Sequence, residues 1–152
     1  MNGKTVHGAG DAGNSDAVAF LECLFAGCIG DVYFAAIRPD GTVVEQCRVG
    51  PPYEWPAALA WAERHSRAGR NVYFCPLTQR PNAVGARSEA TAFELPALFA
   101  DIDELPTETL RVEASSKLIA ADLATTIVDS GNGLHSYMVH DEVDARARCE
   151  PG

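Results

Sequence analysis

The stretch LFADIDELP, residues 98–106, sets an apolar run against two carboxylates. Leu98, Phe99 and Ala100 read as buried strand, and Ile102 keeps the apolar pattern going between Asp101 and Asp103. Residues i and i+2 of a strand point to the same face. The two acids therefore project together, ~6–7 Å apart at the backbone for a rise of ~3.3 Å per residue. Carboxylates this close repel unless something positive lies between them. A hard divalent cation such as Mg2+, held by one or two carboxylates plus substrate phosphates, is one answer. A strand that simply ends, with both acids in water, gives the same pattern.

Outward from this strand, expected over about 97–103, the elements alternate. Pro106 stops the strand, and Thr107 suits the cap of a helix over about 108–122, with Leu110, Ala114, Leu118 and Ala121 on its inner face. TTIVD, 125–129, and LHSYMV, 134–139, read as strands joined by the tight turn SGNG, 130–133. Upstream, Ser15 suits the cap of a helix over about 16–26, with Val18, Leu21 and Phe25 inward and Gly27 as its stop. Val32–Ile37 and Thr42–Arg48 form a hairpin about Pro39-Asp40-Gly41. Pro56 fits the first turn of a helix over about 55–68, with Trp55, Leu59 and Ala62 on one stripe. NVYFC, 71–75, reads as a strand, and PLTQRPNAVGARSEA after it as a long loop, a length that in compact domains is often functional. Residues 1–14, rich in Gly, Asn and Asp, are expected to be disordered, 15–139 to form one domain, and 140–152 to be a polar tail. Helices mixed with two hairpins predict an α+β fold with a mainly antiparallel sheet.

A chain of 152 residues buries roughly 68–70% of its unfolded surface, enough for a core. Its hydrophobic content of 47% sets it apart from disordered chains. No signal peptide and no membrane span are legible, so the expected location is the cytoplasm. Five cysteines without a C-x-x-C pair argue against a disulfide framework or a thiolate zinc site. The net charge of −9 argues against broad nucleic-acid affinity, and all of it falls in residues 89–152. Before that acidic half, Arg64, Arg67, Arg70, Arg80 and Arg87 form a segment free of acids. Basic groups there can hold phosphates while acids hold a metal. A solvated helix end followed by a polar loop accounts for the same charges.

The second motif is SGNGLHSY, 130–137. Gly131 and Gly133 permit close backbone approach, Ser130 and Asn132 suit the turn, and His135 and Tyr137 share a face of the strand that follows. A histidine just past a glycine turn can touch a phosphate or a metal, or can simply be exposed on a hairpin.

Taken in order, an apolar strand ending Asp101-Ile102-Asp103, a helix, a strand, and then Gly133-Leu134-His135 within SGNGLHSY, the chain resembles the archaeo-eukaryotic primase superfamily. It is most similar to the primase-polymerase branch found in plasmid and phage replication proteins, over roughly Ala17 to Val139. The resemblance implies a small α/β module on a sheet like that of the RNA-recognition motif. It implies that Asp101 and Asp103 bind two catalytic Mg2+ or Mn2+ ions and that His135 contacts the phosphates of an incoming nucleoside triphosphate. Ser130, Gly131 and Gly133 would shape that phosphate site. The implied reaction is nucleotidyl transfer on a single-stranded DNA template, with a replicative helicase domain as a further expected partner. Arg80 and Arg87 are candidate holders of triphosphate or template on charge alone.

The family's third motif, an apolar residue and an acid on a later strand, has no counterpart here. Asp141, Glu142 and Asp144 follow His135 too soon and sit in no apolar strand. The expectation is a copy truncated after the second motif, with an incomplete sheet and an exposed edge. Three functions stay open: a primase-polymerase, active or inactive; a non-catalytic replication accessory that binds DNA or a partner; and a metal-dependent phosphohydrolase using Asp101 and Asp103.

Overall fold

The computed structural model describes residues 4–6, 11–130 and 133–139, with side chains from residue 15 onward. The fold is α+β, as the alternation of elements predicts, and its sheets are mainly antiparallel. The single expected domain is replaced by two compact units. Among the described residues, the first comprises 4–24 and 97–139, and the second comprises 25–96. Each has its own sheet and its own buried side chains, which is the physical reason to treat them separately.

The second unit is a three-stranded antiparallel sheet backed by one helix. Strand β2 (Val32–Ile37) lies between β3 (Val43–Val49) and β4 (Asn71–Phe74), and α2 (Trp55–Arg67) packs across them. Pro sits in the first turn of α2, as expected. Its buried stripe is Trp55, Ala58, Trp61 and His65, one position away from the expected Leu59 and Ala62. The correction has a visible cause. Trp61 Nε1 donates to Glu45 Oε1 at 3.0 Å, and His65 stacks on Trp61 at 4.2 Å between ring centroids, so two polar-tipped rings turn this stripe inward. Phe25, Phe34, Phe74 and Trp55 complete the core with tilted and edge-on contacts.

The loop after β4 is ordered by hydrogen bonds rather than by periodicity. Gln79 pairs with both Asp31 and Ala92, and a 3-10 turn over Glu89–Thr91 follows a capping box at Ser88. Glu94, only 1% exposed, anchors the whole arrangement. Its carboxylate accepts from the Gly30 amide at 3.0 Å, the Ile29 amide at 3.2 Å and Thr78 Oγ1 at 2.9 Å. A buried charge persists only when so many donors converge on it.

The first unit is a four-stranded sheet in the order β1-β6-β7-β5. Its strands are β1 (Lys4–Val6), β5 (Ala97–Ile102), β6 (Thr126–Asp129) and β7 (Leu134–Val139), with helices α1 (Asp11–Leu24) and α3 (Glu108–Ala120). β1 runs parallel to β6, and the other pairs are antiparallel. Register assigns the two faces. Phe99, Asp101, His135, Tyr137, Thr126 and Val128 share one face, and Phe20 of α1 meets Tyr137 there, ring to ring, at 5.1 Å. Ile127, Asp129, Leu134 and Ser136 lie on the other, where Arg111 of α3 binds Asp129 at 2.9 Å.

Four expectations need correction in this unit. β1 and the first turn of α1 occupy part of the stretch 1–14 expected to be disordered, and α1 begins at Asp11 rather than after a Ser15 cap. A parallel pairing to a strand 122 residues away supplies backbone hydrogen bonds that local composition does not announce. Leu98, Phe99 and Ala100 are not buried: β5 is an edge strand, and Leu98 and Phe99 are each 54% exposed. Thr107 caps α3 as expected, accepting from the Leu110 amide, and Ala114 and Leu118 face inward as expected, but Arg111 and Ser115 join them while Leu110 and Ala121 are exposed. Leu110 faces out because Arg111 takes the inner edge, held by Asp129 and by the Leu105 carbonyl at 3.0 Å. The polar tail 140–152 lies outside the described residues.

Candidate functional site

The two sequence motifs meet at one end of the β5–β7 pair. Asp101 and His135 are direct cross-strand partners on the same face. Their side chains approach to 3.4 Å, His135 Nε2 to Asp101 Oδ1, with Asp101 58% and His135 41% exposed. β5 ends at Ile102, so Asp103 lies one residue past the strand rather than within it. The left-handed backbone of Glu104, φ 62°, turns the chain away directly afterwards. Asp103 is exposed, beside the same strand end.

Gly133 explains how the motifs come together. A Cβ at this position would sit 2.3 Å from the Ile102 carbonyl oxygen and 3.2 Å from Asp103 Cα. Only a residue without a side chain lets the β6–β7 turn lie against the Asp-Ile-Asp backbone. Ser130 closes that turn from the other side. Its Oγ accepts from the Gly133 amide at 3.1 Å and donates to the Gly133 carbonyl at 3.0 Å, while its own amide donates to the same carbonyl. Ser130 and Gly133 are thus placed as scaffold for the strand that carries His135. Gly131 lies outside the described residues.

The electrostatics of this face are set by a buried phenol and an exposed acid. Burial pushes the Tyr137 hydroxyl up to about 12, and the charge of Asp101 adds to the effect. Tyr137 is therefore a neutral hydroxyl in the physiological range, and Asp101 is its negative neighbour. The exposed imidazole and carboxylate of the His135–Asp101 pair, with a second exposed carboxylate one residue past the strand, offer a donor and oxygen ligands to a phosphorylated molecule.

The arginine candidates belong to the second unit. Arg80 lies over the Phe93 ring with its guanidinium carbon 6.0 Å from the centroid, and Arg87 Nη1 reaches Cys75 Sγ at 3.7 Å. Among the described residues, no three His, Cys, Asp or Glu side chains gather closely enough to hold a cation by themselves. Asp101 and Asp103 fit a hard cation only in the arrangement where phosphate oxygens and water fill the remaining positions. No described helix is long and apolar enough to cross a membrane. No protein-family model, no curated protein and no solved structure matches the chain.

Proposed function

We propose that the chain is a template-dependent nucleotidyltransferase of the primase-polymerase type. The observation that carries this reading is the juxtaposition of Asp101 and His135, 3.4 Å apart on one face; Asp103 follows one residue past the end of the same strand. Sequence order alone leaves these residues more than 30 positions apart.

In this reading Asp101 and Asp103 hold Mg2+ or Mn2+ at the edge strand. When bound, such an ion neutralises phosphate charge and stabilises the attacking and leaving oxygens of a phosphoryl displacement. His135 donates an N–H to a phosphate oxygen and is oriented for it by Asp101 across the strand pair. Ser130 and Gly133 keep the β6–β7 turn tight against the Asp-Ile-Asp backbone, so that ring and carboxylates stay in reach of one substrate. The bond formed joins a primer 3′-hydroxyl to the α-phosphate of a nucleoside triphosphate, and pyrophosphate leaves. A single-stranded DNA template and a helicase domain are the partners that go with this activity.

Primer extension on single-stranded DNA with Mg2+ or Mn2+ tests the proposal. Extension by the wild type and its loss in the double variant Asp101→Asn, Asp103→Asn is the expected result. Equal product from both proteins, or template binding without any product, overturns it. The second outcome points instead to an accessory protein that binds without chemistry.

A further inference from the structure

Phe99 is the only large aromatic of the first unit's described residues that combines high exposure with a place on the Asp101–His135 face. It precedes Asp101 by two residues on the same strand, ~7 Å along the backbone at ~3.4 Å per residue. Its ring is not loose on the surface. Tyr137, its direct cross-strand partner, lies nearly parallel to it, with centroids 6.3 Å apart and planes 28° from one another. Tyr137 is itself buttressed edge-on by Phe20. One flank of the Phe99 ring is thus backed by an aromatic stack while 54% of the residue remains open. Leaving so much of a phenylalanine in water forgoes burial free energy, on the order of 1 kcal/mol or more.

We infer that Phe99 is a stacking platform for the base of the nucleotide whose phosphates Asp101, Asp103 and His135 receive. This rests on the reading of the site given above and adds its base-recognising part. A π-face stacks on any base and best on the larger purines, so the platform tolerates sequence and ranks bases by size. The spacing along β5 suits a ligand with a flat apolar end and an anionic end, which is the construction of a nucleoside triphosphate. The exposed ring meets the flat end, and the exposed acid two residues on meets the anionic end through the divalent cation that the proposed site holds.

The test compares ligands with and without a base. Binding of ATP, CTP and inorganic tripolyphosphate, each with Mg2+, is measured by calorimetry for wild type, Phe99→Ala, Phe99→Leu and Asp101→Asn. Phe99→Leu keeps apolar bulk and removes the π-face, so the comparison survives if Phe99→Ala unfolds. The expected result is ATP bound more tightly than CTP by wild type. Both Phe99 variants then lose about 5- to 150-fold in ATP affinity, the span found when stacking aromatics are replaced by alanine. Tripolyphosphate affinity stays unchanged in them and falls in Asp101→Asn. Phe99 variants that bind ATP like wild type, while Asp101→Asn weakens all three ligands, overturn the platform and leave the phosphate site standing. Equal losses for ATP and tripolyphosphate in the Phe99 variants also overturn it, since a base platform has no effect on a ligand lacking a base. A wild type that binds none of the three overturns the site and the platform together.

Discussion

His135 Nε2 lies 3.4 Å from Asp101 Oδ1 across the β5–β7 pair, and both side chains stay open to solvent. Exposed polar contacts of this kind contribute about 0–1 kcal/mol to stability. Asp101→Asn is accordingly expected to change the unfolding free energy by about 0.5 kcal/mol or less. The same substitution removes a negative oxygen from the proposed phosphate and cation site. Thermal unfolding followed with and without Mg2+ and ATP separates the two effects. The wild-type midpoint rises on adding the ligands, and the variant starts from the same midpoint and does not move. A variant midpoint well below wild type without ligand would show Asp101 to be structural.

Gly133→Ala acts through geometry rather than chemistry. The new Cβ would fall 2.3 Å from the Ile102 carbonyl oxygen, a backbone atom that cannot swing aside. The turn must then lift from the Asp-Ile-Asp strand end. Overpacking of this kind costs about 1–3 kcal/mol. The expected outcome is a loss of that size in urea unfolding, together with weaker amide protection of β5 and β7 in hydrogen exchange. Unchanged stability and protection would mean that the close approach is not maintained in solution.

β2, β7 and the span of α2 were readable in the sequence because the apolar runs of the strands, the Pro at the start of α2 and the glycine at its end act locally, whereas the buried stripe of α2 is set by the Trp61 and His65 rings. Thr107 was readable as a cap for the same reason. What failed was long-range. The exposure of Leu98 and Phe99 depends on β5 being an edge, and strand order is set by pairings over tens of residues. The strand Lys4–Val6 is invisible without its parallel partner β6. Arg111 displaces Leu110 from the inner face of α3 only because Asp129 waits on β6. The meeting of Asp101 with His135 was an expectation from motif order, and the register of β5 on β7 supplies it. Phe99 escaped notice as a site residue because an apolar run before two acids reads as core. Glu94 escaped notice because a lone glutamate in FELP carries no local signal of burial.

Arg111 is the main polar tie of α3, a helix with no fully buried residue. Its guanidinium binds Asp129 at 2.9 Å and the Leu105 carbonyl at 3.0 Å in a mostly solvent-excluded position. Arg111→Ala takes the guanidinium away from the half-buried Asp129 carboxylate and the Leu105 carbonyl. A loss of about 1–3 kcal/mol is expected, the range for removing a charged hydrogen-bonding partner from a partly buried position. Helical content should fall first in the α3 segment, read by hydrogen exchange. Arg111→Lys keeps the charge but not the two-pronged contact and should recover only part of the loss.

Glu94 offers the sharpest test of the second unit. Its carboxylate receives the Gly30 amide and the Thr78 hydroxyl, both shielded from water, and the Ile29 amide in a part-buried position. Glu94→Ala orphans these donors at about 1–3 kcal/mol apiece and opens a cavity as well. A combined loss of about 3 kcal/mol or more is expected in chemical denaturation. Glu94→Gln keeps the volume and one acceptor oxygen but turns an amide N–H2 toward other donors. It should fall between alanine and wild type. A Glu94→Ala protein as stable as wild type would show that the 76–94 loop does not depend on this carboxylate.

The pH dependence at the alkaline end follows from the same burial. Cys28, beside Glu94, is pushed from an ordinary 9.0 up to about 12, mainly by burial and further by the Glu94 charge. Tyr137 is pushed from 10.0 up to about 12 by burial and then by Asp101, and Tyr53 is raised in the same direction by burial. Each group holds its proton more tightly folded than unfolded, so the unfolded chain loses protons first as pH rises. The stabilisation is present below pH 9.0, the unfolded pKa of Cys28, and is lost for Cys28 and Tyr137 as the pH rises through about 12. Stability measured by urea unfolding should therefore decline steadily above pH 9. Cys28→Ala should flatten the first part of that decline, between 9 and 10, whatever it costs in packing. Tyr137→Phe should flatten only the part above 10, where the free phenol ionises. Profiles of the two variants that keep the wild-type slope throughout would show that neither group is shielded from water as the fold requires.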